Sequence, residues 1–171
     1  MQETQRQVEQ LARQIVEGEG LELVDVALKG PPGRQMLRLD IDRAGPVGVD
    51  IEDCQRVSRA LGAKLDALDP IHGRYLLEVS SPGVDRPIRT PDDFRRNTGR
   101  RVVIQAVGPE GRERRIRGVL RGCDATAVLV SADDGAEHRV ALDQVRGIRQ
   151  DAESDLQRRI PHRNPRRNGM L

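Results

Sequence analysis

Leu77-Glu78-Val79-Ser80-Ser81-Pro82-Gly83-Val84-Asp85-Arg86-Pro87-Ile88-Arg89-Thr90 decides how this chain is read. Tyr75, Leu77 and Val79 alternate with Leu76 and Glu78, the period of a half-buried strand. The strand has to stop at Ser81-Pro82-Gly83. Pro82 lacks a backbone donor and holds Ser81 extended, while Gly83 reaches positive φ without steric cost. Arg86 is restrained in the same way by Pro87. The stretch is a stiff connector that displays Asp85, Arg86 and Arg89 just beyond a strand end.

Upstream of it, Val8, Leu11, Ala12, Ile15 and Val16 recur at helical spacing, which predicts a first helix over 3–17, ended by Gly18 and Gly20. Val24, Val26 and Leu28 alternate with polar or small residues, as do Leu37, Leu39 and Ile41. With Gly30-Pro31-Pro32-Gly33 between them they read as a hairpin. Asp50 is an N-cap, and Glu52 and Asp53 place negative charge in the following turn. Ile51, Cys54, Val57, Leu61 and Leu65 mark the buried face of that second helix. The order α-β-β-α-β predicts a three-stranded sheet with two helices on one face, over residues 1–89.

Downstream, Thr90-Pro91 is an N-cap followed by proline at the first helical position, so 91–96 reads as a short helix closed by Asn97-Thr98-Gly99. Short strands are predicted at 102–107, 116–120, 127–131 and 138–142, with a fifth at 145–149, separated by turns at 108–111, 122–124 and 133–135. Five short strands in about 50 residues predict a small SH3- or Sm-like β-barrel over 90–150. The fold class is therefore α+β, a layered domain followed by a barrel. From Asp151 the apolar period is lost, and 151–171 reads as a disordered basic tail.

The connector resembles the central signature of the bacterial ribosome maturation factor RimP family. Val49-Asp50-Ile51-Glu52-Asp53-Cys54 with Val57-Ser58-Arg59 resembles that family's second helix, and Thr90-Pro91-Asp92-Asp93-Phe94 its domain junction. The resemblance implies the same two-domain plan. It also implies binding to the free small ribosomal subunit during assembly and contact with the decoding-centre ribosomal protein (small-subunit protein twelve), largely through the barrel. The further partner is 16S rRNA, and the chain is expected to be a cytoplasmic monomer without membrane association.

Charge and composition bear on that expectation. The chain of 171 residues has a formal charge of +2, unevenly placed. Residues 1–90 carry twelve basic against fifteen acidic side chains, and residues 91–150 twelve against nine. An acidic front and a basic back suit two surfaces with different tasks. Tyr75 and Phe94 are the only aromatic residues, so no platform for stacking bases can be built. Contact with RNA has to run through charge, backbone shape and guanidinium groups. Residues 1–20 have no continuous apolar stretch and predict no signal peptide.

The arginines supply the candidate RNA contacts: Arg86 and Arg89 on the connector, Arg95, Arg96, Arg100 and Arg101 at the junction, and Arg114 and Arg115 on the next hairpin. A solvated face is the competing reading of such runs. A basic ribosomal protein would meet Asp124, Asp133, Asp134 and Glu137. Ser81, Pro82, Gly83, Asp85 and Pro87 are expected to fix the relation of the two domains, with the role of Arg86 open between that and an outward contact.

Catalysis and cofactors are not expected. Ser80 and Ser81 lack a glycine elbow and a placed base, and strand-end capping accounts for their hydroxyls. Cys54 and Cys123 have neither paired spacing nor neighbouring histidines, which argues against a metal site or a disulfide framework. There is no Walker loop and no dinucleotide fingerprint. The alternative to a maturation factor is a general RNA-binding regulator of Sm type, which would have to assemble as a hexameric or heptameric ring.

Overall fold

The computed structural model describes residues 2–152, and most of the predicted tail lies outside them. The chain runs α1 (Gln2–Gly18), β1 (Glu22–Lys29), β2 (Gln35–Asp42), α2 (Ile51–Leu68) and β3 (Tyr75–Ser80). It continues with α3 (Pro91–Asn97), β4 (Arg101–Val107), β5 (Glu113–Cys123), β6 (Ala127–Ala132), β7 (Glu137–Ala141), a short 3-10 turn (Leu142–Gln144) and β8 (Val145–Gln150). No helix among the described residues is long and apolar enough to cross a membrane.

The first sheet has the order β1-β2-β3. β1 and β2 form the expected antiparallel hairpin, with Val26 opposite Leu39 and Leu28 opposite Leu37. β3 joins the other side of β2 in parallel, Leu37 opposite Leu77 and Leu39 opposite Val79, so α2 is the crossover between them. Leu37, Leu39 and Ile41 are wholly buried against Val8, Ala12 and Val16 of α1 and Val57, Leu61 and Leu65 of α2. Alternation on the strand and i, i+4 spacing on the helices thus meet in one aliphatic core.

Helix α2 starts as its sequence demands. The Asp53 N–H donates to Asp50 Oδ1 at 2.8 Å and the Asp50 N–H to Asp53 Oδ2 at 3.1 Å, a reciprocal box. Asp53 also receives Arg43 at 2.9 Å and the Arg56 guanidinium. Ile51, placed on the buried face by its spacing, is instead 75% exposed. It lies on the first turn, beyond the reach of the sheet, so its periodic position carries no burial.

The second sheet is antiparallel throughout, in the order β7-β6-β5-β4-β8. No backbone ladder joins β7 to β8 among the described residues, so the observed element is a five-stranded sheet with two ends. Its inward face packs Val102, Ile104, Leu120, Val128 and Val130 with Phe94 of α3 into a second core. Two elements differ from the sequence reading. β5 extends to Cys123 because the chain passes Gly122 through a bulge, between Leu120 and Gly122, and does not turn there. Asp151, assigned to the tail, is buried, and its N–H donates to the Arg101 carbonyl at 3.0 Å.

Gly118 sits on the inward face between Ile116 and Leu120. A Cβ there would stand 2.2 Å from the Ser131 carbonyl oxygen and 2.7 Å from Val130 Cγ1. Gly118→Ala is expected to destabilise the protein by about 1–3 kcal/mol, because β6 would have to move away from β5. A urea unfolding midpoint equal to that of the parent would contradict this.

The connector ties itself to the second sheet. The Arg86 N–H reaches the Gly83 carbonyl at 3.4 Å in a turn that needs the positive φ of Gly83 (+80°). Ile88 then inserts into the second core, and its N–H donates to the Ile148 carbonyl of β8 at 2.8 Å.

Candidate functional site

The arginines that sequence groups together divide in space. Four of them, at the start of the second sheet and on α3, are engaged by carboxylates. Arg100 is the most enclosed. Its two terminal nitrogens each donate to Asp42 at 2.9 Å, its Nε donates to the Gly45 carbonyl at 2.7 Å, and the Arg43 carbonyl accepts from it as well. The Arg100 and Asp42 side chains are only 10% and 5% exposed. Asp42 ends β2, and Arg100 immediately precedes β4, so this pair joins the two sheets.

Arg95 makes a second cross-connection, forked onto Glu22 of β1 at 2.9 and 2.6 Å. This hydrogen-bonded pair holds the Glu22 carboxyl below the usual carboxylate range, against the opposing effect of its partial burial, and raises the Arg95 guanidinium above its ordinary value. Arg96 is buried and donates to Asp93 at 2.6 Å, with Glu22 at 3.7 Å. The Gly45 N–H adds a backbone bond to the Arg96 carbonyl at 3.1 Å. Arg101 donates to Asp133 at 2.6 Å, within the second sheet.

Three of the acidic candidates, Asp124, Asp133 and Asp134, lie in the connections between strands, and Glu137 begins β7. Asp124 Oδ1 accepts the N–H groups of Thr126 (2.8 Å) and Ala127 (2.9 Å), and Oδ2 lies 2.8 Å from Arg139. Those donors, the Thr126 backbone first, hold the carboxyl down at about 2. Asp134 accepts the Ala136 N–H at 2.8 Å, and Glu137 accepts from the Ser131 hydroxyl at 3.4 Å. All four are exposed, so their remaining oxygen lone pairs still face solvent.

The other four arginines are different. Arg86 is half-buried and Arg89, Arg114 and Arg115 are exposed, and among the described residues none of the four makes an ion pair. On the connector, Ser81 and Gly83 are exposed and Pro82 half-buried, beside the cleft between the sheets that also receives Asp42 and Arg100. Asp85 and Pro87 are exposed and line a separate hollow of about 340 Å³ with Arg89. That hollow contains two residues the sequence reading passed over, Arg146 and Arg149 of β8. Alternation puts Arg149 outward but Arg146, three residues earlier, on the face of Ile148, and they share the hollow because the ladder with β4 is irregular at Gln105/Ala106, beside the connector.

Nothing in the geometry favours a nucleophile. The Cys54 thiol is pushed up by burial and then by Asp53 and Asp50, and the Cys123 thiol by burial and then by Asp124. Ser80, half-buried, donates to the buried Asp40 at 3.3 Å, with no histidine in the arrangement.

Residues 11–85 match the family model of the RimP N-terminal domain. The match identifies the RimP ribosome maturation factor family. The matched segment runs from the middle of α1 through the whole first sheet and stops within the connector, at Asp85. RimP proteins are non-enzymatic assembly factors, and membership gives this chain a role in maturation of the small ribosomal subunit.

Proposed function

We propose that this RimP chain docks on the free small subunit as one body with two working faces, the first formed by residues 1–89 and the second by 90–150. The faces meet the decoding-centre ribosomal protein and 16S rRNA, in the cytoplasm, with a single copy of the chain sufficient. The observation that carries this reading is the family match over the first sheet and connector. Two physical features support it. The Asp42–Arg100 and Glu22–Arg95 connections give the faces a defined relation, so a partner must satisfy both at once. Guanidinium groups left without carboxylates supply the charge that a phosphate backbone needs.

We read the second sheet as an open Sm- or SH3-like barrel. Bulges at Leu120/Gly122 and Gln105/Ala106 supply the curvature such a barrel requires. Its exposed Asp134 and Glu137, with Asp124 and Asp133, offer carboxylate oxygens to a basic ribosomal protein. Action follows from selection: the chain favours one arrangement of an immature, flexible region by binding it better than the others, and it leaves when mature contacts compete.

Sedimentation of a lysate containing the tagged protein is expected to place it with free small subunits and their precursors. Migration with complete ribosomes alone, leaving the small-subunit fractions empty, would remove this function.

A further inference from the structure

The outward face of the second sheet around β4 carries a continuous arginine trough. Along β4, Val102, Ile104 and Ala106 point into the core, so Val103 and Gln105 point the other way. Residues directly opposite in a ladder share a face. Arg149 of β8 stands opposite Val103, and Arg115 of β5 stands opposite Gln105. On the β8 side Gln105 faces Gly147, where an added Cβ would find only the Gln105 side chain, at 3.7 Å. The floor is therefore low in the middle and rimmed by long basic side chains.

The connector closes one side. Its backbone bond to Ile148 lays Pro87 and Arg89 along β8, enclosing the hollow of about 340 Å³ in which Arg89, Arg146 and Arg149 converge over Gln105. A second hollow of about 500 Å³ holds Arg114 and Arg115 and shares both Gln105 and Arg146 with the first, so the two are contiguous. Arg89, Arg115, Arg146 and Arg149 thus line one trough, with Arg114, opposite Ala106 on the other face of β5, only at its end, and with Asp85 and Glu113 as the carboxylates of the lining. Among the described residues Arg89, Arg114, Arg115 and Arg149 form no ion pair, and the Arg146 contact is to a backbone carbonyl, that of Asp143, at 3.0 Å. This contrasts with Arg95, Arg96, Arg100 and Arg101, all of which are neutralised by neighbouring acids.

We infer that this trough is a binding site for the sugar-phosphate backbone of structured RNA, with Arg89, Arg146, Arg149 and Arg115 as the principal phosphate ligands. Guanidinium forks match phosphate oxygens in pairs. The trough contains no aromatic side chain, since Phe94 is in the core and Tyr75 is on the first sheet, so it offers bases nothing to stack on. It therefore reads the charge and spacing of a folded backbone and not base identity. The site deepens the maturation-factor reading and rests on it only for which RNA is met in the cell.

The test uses the full chain and three variants in one, R115Q/R146Q/R149Q, against a control, R34Q/R59Q/R74Q. The control removes the same charge from exposed arginines of α2 and of the loops preceding β2 and β3, which make no ion pair among the described residues. Binding to an RNA duplex of about 16–20 base pairs is measured by anisotropy over a salt series. The trough variant is expected to bind at least about tenfold more weakly near 0.15 M salt, with a salt slope smaller by about 2–3, one unit per lost phosphate contact. The control is expected to retain affinity and slope. Equal losses in both variants would show a bulk-charge effect and overturn the site, as would trough-dependent binding of polyglutamate in place of RNA. Sedimentation with purified free small subunits separates the two ideas. If the parent binds subunits and the trough variant binds them equally well with an unchanged salt slope, the trough is wrong while the maturation role stands. If the parent ignores subunits but binds duplex through the trough, the role fails and the site survives.

Discussion

Arg100→Ala is expected to cost about 3–5 kcal/mol of stability and to uncouple the two sheets. The magnitude follows from what remains behind. Asp42 is 5% exposed at its side chain and has both carboxylate oxygens on Arg100, so the truncation leaves a buried charge with no counter-ion, held only by the Arg43 N–H at 2.8 Å. The carbonyls of Gly45 and Arg43 lose their donor at the same time. Asp42→Ala is expected to fall in the same range, with the guanidinium now stranded. The double variant D42L/R100M separates this penalty from the net worth of the pair, since replacing a buried ion pair by apolar groups of similar volume is often close to neutral. It is therefore expected to recover most of the loss. Chemical denaturation monitored by a probe on each sheet provides the measurement. The parent should give coincident curves and Arg100→Ala separated ones, because each sheet keeps its own core. A single-variant loss below about 1 kcal/mol would mean that the pair is exchanging with water and does not fix the geometry.

That pair also shows where sequence reasoning stops. Local chemistry was legible: Tyr75–Ser80 is a strand over the residues its alternation marks, Asp50 and Thr90 cap α2 and α3, and Gly83 has the positive φ its neighbours demand. These features are decided within a few residues of one another. Partner choice is not. Arg95, Arg96, Arg100 and Arg101 form one cluster on the chain, yet Arg100 meets a carboxylate 58 positions away and Arg95 one 73 positions away. A run of like charge says that neutralisation or a ligand is needed and leaves open which is supplied. Arg146 and Arg149 present the converse case, since their three-residue spacing reads as opposite faces of a strand and only the irregular ladder at Gln105/Ala106 brings them together. Ile88 was hidden for a related reason. It stands alone between Pro87 and Arg89, without periodicity, and is buried only because β8 lies beside the connector.

The division of the arginines has a mechanical consequence for recognition. Of the neutralised set Arg95, Arg96 and Arg100 lie where the sheets meet, while Arg89, Arg115, Arg146 and Arg149 line the face turned away from the second core. Asp93 sits between these roles. It is 7% exposed, accepts the N–H groups of Thr90 (2.9 Å) and Arg89 (3.2 Å), and receives Arg96 at 2.6 Å. One carboxylate therefore positions the end of the connector, the start of α3 and a guanidinium that leans on Glu22 of the first sheet. Arg89 enters the trough directly from this anchored backbone.

Asp93→Ala is accordingly expected to destabilise by about 3–5 kcal/mol, because Arg96 would be left buried without its nearest counter-charge. Asp93→Asn is the sharper experiment, since it keeps the shape and removes the charge. Burial alone would raise the Asp93 carboxyl, but the Thr90 and Arg89 N–H groups, the Thr90 side chain and Arg96 outweigh it and hold the group below its ordinary value. A carboxyl whose folded value is depressed contributes stability that is present above the unfolded value, about 4, and is lost as pH falls through the folded one. Parent stability should therefore hold between about pH 5 and 8 and decline below about pH 4. The Asn variant should lie lower across the neutral range and approach the parent as acid protonates Asp93 in the latter. Urea midpoints at a series of pH values measure both arms. A constant gap between the two proteins down to about pH 2 would mean that the carboxylate charge is not what secures the connector, and that the shape of the Thr90–Asp93 cap alone holds Arg89 at the mouth of the trough.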